Sequence, residues 1–481
     1  MAHNKFLPRV LAAAAAMMLL AGCSSKADPG FSPANPVNIT IWTYYNGEQL
    51  EAFNALVDEF NSTVGKEQGI TVESSSHGSV TDLENNVLAS AEGKVGAEAM
   101  PNIFSAYADT AYALDEMGQI ADLSDYLSEE DRAAFIEDYL SEGDFSGSGS
   151  IKIFPVAKSA ELLFLNETDW EPFAAATGAT YDDLATIEGL VSVAERYYEW
   201  TDAQTPDIPN DGRAFFGRDA MANYMLIGAK QLGCTIFAAQ DGSMTLNFDH
   251  DTVRTLWDNY YVPFIKGYFS ASGRFRSDDV KTGNIVAYVG SSSSATFFPT
   301  QVIADDMASH DITRKALESP KFANGEDYAV QQGAGMVVTK ASDAEIQASL
   351  VFLKWFTSPE HNITFSVDSG YLPVTHEGNS IDAIRISGLA LSDEMDEVLS
   401  AAVDTVNENH LYTPHAFSGG TNARAILEYS MSDKASADRA AVKEAMAQGQ
   451  SFEDASAQFL SDECFEAWYQ DTLASLEVFQ G

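Results

Sequence analysis

At 481 residues, 45% of them hydrophobic, the chain is too long for one hydrophobic core and reads as a folded globular protein of two or three lobes. Its 71 acidic residues against 27 basic ones set a formal net charge of -44, a surface that repels nucleic-acid phosphates and anionic lipid headgroups and so argues against nucleic-acid binding. An anionic ligand would have to be held by local donors against that field, which makes the few arginines more informative than the many carboxylates.

The N-terminus has the layout of a secretory signal: Lys5 and Arg9, then Val10-Leu11, an alanine run and Met17-Met18-Leu19-Leu20. This apolar stretch is too short to span a bilayer as a mature helix. It ends in Leu20-Ala21-Gly22-Cys23, which resembles the bacterial lipobox, where cleavage precedes a cysteine that carries a diacylglycerol on its sulfur. The expected arrangement is a signal peptide over 1–22, a lipid anchor on Cys23 and a flexible Ser/Pro/Ala-rich tether over 23–36. The mature protein is then lipid-anchored at the cell membrane and faces outward. Cys234 and Cys464, far apart in sequence, are open to pairing or to life as free thiols, and no cysteine spacing resembles a zinc site.

Val37-Asn38-Ile39-Thr40-Ile41-Trp42 alternates as a first strand, and after the loop holding Tyr44 and Tyr45 the residues Leu50, Phe53, Leu56, Val57 and Phe60 share one helical face. Gly69-Ile70-Thr71-Val72 is a second strand, followed by a polar loop with His77 and Ser79, and Leu83, Val87 and Leu88 mark the next helix. Asn102-Ile103-Phe104 is a third strand leading to Tyr107 and Asp109, and a helix over 111–117 ends at Gly118. This βαβαβα order predicts a parallel sheet with crossover helices. Ligands of such sheets bind beyond the carboxyl ends of the strands, which nominates Tyr44, Tyr45, His77, Ser79, Tyr107 and Asp109, with one of the two adjacent tyrosines assigned to the core.

Helices are expected over 182–200, 224–232 and 253–264, with a surface loop over 201–212. The pairs Tyr197-Tyr198, Phe215-Phe216 and Tyr260-Tyr261 have faces suited to sugar rings but read as core. Val286 to Val289 form a strand that turns at Gly290 into Ser291-Ser292-Ser293-Ser294, which cap a following helix. Their hydroxyls and free amides would converge on a point suited to an oxyanion or a polyol, while the same stretch taken alone is a helix cap. The last hundred residues are helical, broken over 412–422, and no repeat is present.

Several ordered segments carry a family likeness. Trp42 and its helix with Phe60, Met100-Pro101-Asn102-Ile103 and Met117-Gly118-Gln119-Ile120-Ala121-Asp122-Leu123 come first. Ile153-Phe154-Pro155-Val156, Thr282-Gly283-Asn284-Ile285-Val286-Ala287-Tyr288, the run from Phe352 to Glu360 and Gly370-Tyr371-Leu372-Pro373-Val374 complete the set. Together they resemble the family 1 extracellular solute-binding proteins of ABC importers over nearly all of the mature chain. The resemblance implies an α/β, two-lobed fold of the type II periplasmic-binding-protein kind, with a hinge and a ligand cleft between lobes. One lobe would take 37–158 plus 330–375, and the other 159–329 plus 376–481. In sugar-binding members the loop matching Gly290-Ser291-Ser292 carries a stacking tryptophan, and here it carries serines. That is more similar to members that bind glycerol 3-phosphate, and it nominates Ser292, Ser293, Gly333, Gly335 and Arg424 as a phosphate cradle. Arg424 is equally open to a surface salt bridge, and Lys158, at the lobe crossing, reads as a solvated hinge residue.

Catalytic motifs are missing: no Gly-x-Ser-x-Gly elbow, no His-Glu-x-x-His, no phosphate loop and no Cys-x-x-Cys. The eight histidines show no ligand spacing, so neither metal nor cofactor is expected. The resulting expectation is a monomeric, non-enzymatic protein that passes a small polar solute to an ABC permease. That solute is of the carbohydrate class, with a polyol or sugar phosphate as an option. A surface carbohydrate-active enzyme and a sensor or adhesin on the same fold are the rivals.

Overall fold

The computed structural model describes residues 30–240, 242–304 and 308–481. The signal peptide, the lipobox and Cys23 lie outside these residues. Of the segment read as a tether, Phe31 is buried in the core while residues 33–36 are exposed, and Ser32 and Asn35 exchange backbone hydrogen bonds of 3.0 and 2.9 Å. A phenyl ring that finds burial fixes the chain at that one residue.

Alternating β-branched residues form β1 (Val37–Thr43), and α1 (Gly47–Ser62) buries Phe53, Leu56, Val57 and Phe60 on one face. The chain continues through β2 (Ile70–Ser76), α2 (Val80–Ala91), β3 (Ile103–Ala106) and α3 (Ala108–Glu116). After the chain crosses to the second lobe come β4 (Glu161–Asn166), α4 (Ile187–Asp202), β5 (Phe216–Arg218), α5 (Met221–Gln231), α6 (His250–Lys266), β6 (Ala287–Ser291) and β7 (Arg314–Glu318). The chain returns for β8 (Gly335–Val338), α7 (Asp343–Phe356) and α8 (Pro359–Ser369). It ends on the second lobe with α9 (Asp393–Glu408), α10 (Gly420–Ala447) and α11 (Asp462–Glu477).

The first sheet has the order β8-β3-β1-β2. β1 runs parallel to β2 in the register Val37↔Ile70 to Thr43↔Ser76, and parallel to β3, but β8 joins β3 antiparallel. The second sheet, β7-β4-β6-β5, pairs β4 antiparallel with both β7 and β6 and keeps only β5 and β6 parallel. Both sheets are therefore mixed. The all-parallel expectation came from the first hundred residues and missed that β8 arrives from the returning chain. Gly290 lies inside β6, where a Cβ would come 2.9 Å from the Tyr288 ring, and the chain turns one residue later. The serines there enter a short 3-10 turn, Ser292–Phe297. The aromatic pairs Tyr197-Tyr198, Phe215-Phe216 and Tyr260-Tyr261 are all buried. Cys234 and Cys464 are free, and the Cys234 thiol donates to the Asn247 carbonyl at 3.3 Å.

Three chain segments meet where the lobes join. Ser159 and Gln332 exchange backbone hydrogen bonds of 2.9 and 3.2 Å, and Lys158 and Leu372 exchange bonds of 3.1 and 2.6 Å. Lys158 is not solvated there: its side chain is 0% exposed, its ammonium is paired with the Glu142 carboxylate, and it donates to the Gly333 carbonyl at 2.9 Å. Gly333 has φ +92°, and a Cβ on it would lie 2.8 Å from the Ala157 carbonyl oxygen, so glycine is required for the segments to lie this close. An ammonium withdrawn from water needs its counter-charge. Lys158→Met should therefore lower the unfolding free energy by about 3–5 kcal/mol in a denaturant titration, with most of the loss recovered when Glu142→Leu is added.

Candidate functional site

The carboxyl ends of β1 and β3 in the first sheet and of β5 and β6 in the second face a cleft of about 1360 Å³ lined by residues of both lobes. On the first lobe β1 delivers Tyr44, and α2 begins at Ser79, whose hydroxyl accepts from the Asp82 amide at 3.1 Å as an N-cap. β3 delivers Tyr107 and Asp109 at the start of α3. On the second lobe the cleft is bordered by Ser293, by Asn223 on α5 and by Arg424 on α10. The structure thus brings Tyr44, Ser79, Tyr107, Asp109, Ser293 and Arg424 around one space.

The other nominated residues lie elsewhere. Tyr45 is 1% exposed, with its ring 5.4 Å from those of Phe53 and Phe365, because its side chain leaves the strand end on the core side. His77 packs its ring 4.5 Å from Trp42, and its Nδ1 lies 2.9 Å from the Asn86 amide nitrogen; it does not border the cleft. Ser292 is fully buried, donating its hydroxyl to the Gly370 carbonyl at 2.8 Å and its amide to the Ala160 carbonyl at 2.8 Å. Gly333 and Gly335 are buried in the crossing, where the Gly333 carbonyl is taken by Lys158. The phosphate cradle is therefore not assembled as one site. The amides of the serine turn that the sequence left free are used within the fold, that of Ser293 by the Ser291 hydroxyl at 3.3 Å.

Arg424 is also engaged. Its guanidinium donates to Asn223 Oδ1, Asn223 Nδ2 donates to Glu161 Oε1 at 2.7 Å, and the other oxygen of Glu161 pairs with the buried Arg218. This relay runs from the second sheet to the cleft wall. One turn along α10, Glu428 accepts from the Ala222 amide at 2.7 Å and fixes the first turn of α5 beside it.

Several cleft residues escaped sequence reasoning: Glu84, Glu142, Asp219, Asn223, Gln331 and Gln332. Glu84 lies one helical turn past Val80 on the face that Ser79 opens, a periodicity signal that was present. The crossing residues had none. Burial pushes the Asp109 carboxyl up to about 6, against Arg424 and with Glu84 and Glu142 adding to the rise. Burial likewise raises Glu84, opposed by the Thr110 hydroxyl and Arg424, and pushes Asp219 up to about 6, opposed by Arg276. Tyr44 and Tyr107 are held neutral by burial.

A family model of bacterial extracellular solute-binding proteins matches residues 55–384. The chain belongs to that family: it is a solute-binding protein that works outside the cytoplasm. Among solved structures it is similar to the cyclic α-maltosyl-1,6-maltose binding protein of Arthrobacter globiformis, at 17% identity and a TM-score of 0.66, covering 92% of this chain and 99% of that one. It is also similar to UgpB of Mycobacterium tuberculosis, solved with glycerophosphocholine, at 16% identity and a TM-score of 0.65, covering 92% and 98%. The maltotriose binding protein of Thermus thermophilus is similar at 13% identity and 0.58, covering 91% and 98%. At these identities the likeness is one of fold. No curated protein matches the sequence. Among the described residues no helix is long and apolar enough to cross a membrane.

Because Asp109 holds its proton more tightly folded than unfolded, the unfolded chain binds fewer protons between about pH 4 and 6. Stability falls as pH rises through that window, and the loss is complete above pH 6. Asp109→Asn should therefore raise stability by about 1–2 kcal/mol at pH 8, with the gain vanishing by pH 4. Thermal melts of both proteins across pH 4–8 measure it.

Proposed function

We propose that the protein captures a solute of the carbohydrate class in this cleft and passes it to an ABC permease without transforming it. The observation that carries the reading is the lining itself: aromatic faces from Tyr44, Tyr107, Tyr412 and Phe297 beside amides and hydroxyls, contributed by both lobes. Such a mixture suits a sugar, whose apolar ring face stacks while its hydroxyls take hydrogen bonds. The solved relatives are in keeping with this, since two of them are named for maltose-type sugars and one was solved with glycerophosphocholine.

Charge argues against a phosphorylated solute. Glu84, Asp109, Glu142, Asp219, Asp278 and Glu428 border the cleft against Arg274, Lys281 and Arg424, and Arg424 already serves Asn223. A phosphate placed there would meet more carboxylates than cations. The units that would close on the solute are 37–158 with 330–375 and 159–329 with 376–481, turning about the crossing at Lys158, Gln332 and Leu372. Ligand contacts from both sides favour the closed form, which the permease would recognise. The protein would act as a monomer, held at the membrane by a lipid on Cys23.

A thermal-shift panel of oligosaccharides, polyols, their phosphates, amino acids and short peptides tests the class. A true ligand at a hundredfold excess over its dissociation constant adds about 2.7 kcal/mol of stability. Tyr107→Ala should weaken that ligand by about tenfold or more, the loss of one stacking face. Stabilisation by sugar phosphates alone, or by amino acids alone, would overturn the reading. The anchor is tested separately: Cys23→Ser should move the protein from the membrane fraction to the soluble one.

A further inference from the structure

The first-lobe wall of the cleft has more negative charge than its neighbours compensate. Glu142 has its charge balanced by Lys158 but keeps one oxygen without a donor among the described residues. Its side chain is only 3% exposed and borders the cleft; Oε2 takes Lys158 and the Gln331 amide, the latter at 3.4 Å, while Oε1 accepts no hydrogen bond among the described residues. Asp109 likewise accepts none among them with either oxygen, and Glu84 accepts only the Thr110 hydroxyl, at 2.9 Å, on Oε1. Lys158 balances Glu142, and opposite Asp109 and Glu84 stands one guanidinium, Arg424, which also donates to Asn223. Glu84 and Glu142 lie near enough to Asp109 to raise its proton affinity, so the three form one electrostatic group. They do not form a metal site: no set of three or more such ligands among the described residues is placed to hold an ion. Unengaged carboxylate oxygens spread over a wall, beside the faces of Tyr44 and Tyr107, call for a larger cation with several N–H donors.

We infer that the solute is a cationic polyol, an amino sugar or aminated oligosaccharide, with its ammonium group seated among Glu142, Asp109 and Glu84 and its ring against Tyr107. This rests on the reading of the cleft as a carbohydrate site and narrows it. The ammonium would donate to the Glu142 oxygen that Lys158 does not reach and balance the charge left over on Asp109 and Glu84, and burial from bulk water makes that pairing stronger than at an exposed surface. A neutral sugar of the same size would leave the charge uncompensated.

The test is isothermal titration of the full mature protein with β-1,4-linked trimers of glucose, glucosamine and glucuronic acid, matched in length and linkage. The glucosamine trimer should bind at least about tenfold more tightly than the glucose trimer, with the glucuronic acid trimer weakest. The preference should shrink as salt is raised. Glu84→Gln should lower affinity for the glucosamine trimer about tenfold and for the glucose trimer much less. Glu142→Gln should act in the same way. Because it leaves Lys158 without its partner it can cost folding, and Glu84→Gln then carries the test. If the glucose or glucuronic acid trimer binds as well as the glucosamine trimer, or if Glu84→Gln weakens glucose and glucosamine trimers alike, the inference is wrong and the carbohydrate site stands. If no trimer binds, the carbohydrate reading falls with it.

Discussion

A single ammonium group taken out of water organises the middle of this molecule. Lys158 lies where the chain first passes between lobes, and with no solvent to stabilise its charge it must find oxygen from the protein. It takes one carboxylate oxygen from Glu142 on the first lobe and the carbonyl of Gly333 on the returning segment, while its own backbone pairs with Leu372 on the third. Three strands of chain that are distant in sequence are thereby tied at one point. The same demand draws Glu142 to the cleft, so a structural requirement of the hinge places a carboxylate oxygen on the binding surface.

The second lobe answers with a longer chain of contacts. Arg218, Glu161, Asn223 and Arg424 hand charge and hydrogen bonds from the buried sheet to the cleft wall, and each member but the last is buried. Arg424 is therefore a positioned group with limited freedom. Substituting Asn223 would release its guanidinium as surely as substituting Glu161 would loosen Arg218. The cleft has an acidic wall facing one on which Asp219, Asp278 and Glu428 are matched by Arg274, Lys281 and Arg424, an asymmetry that a count of 71 acids over the whole chain does not reveal.

Much of the fold was legible from periodicity. The apolar face of α1, the alternation of β1 and the glycine after α3 belong to local physics, and the rule that ligands lie beyond strand ends put Tyr44, Ser79, Tyr107 and Asp109 at the cleft. What failed was settled by partners far along the chain. The Ser292 amide and hydroxyl look free until Ala160 and Gly370 arrive. Lys158 looks solvated until Glu142 and Gly333 enclose it, and Phe31 looks like part of a tether until the core accepts its ring. Glu142 itself stands in a stretch with no period and no motif, so only tertiary structure gives it a role.

The 28-residue helix α10 begins at Gly420, which lies so close to the Asp109 carboxylate that a Cβ there would collide with Oδ1. The helix is roughly 42 Å long at the usual rise per residue. One end of this rod thus rests on the opposite lobe inside the cleft, while the other lies far out on its own lobe. A small tilt at the Asp109 end would be magnified by the length of the rod, so closure of the cleft around a solute would reach the outer surface of this lobe as a larger displacement.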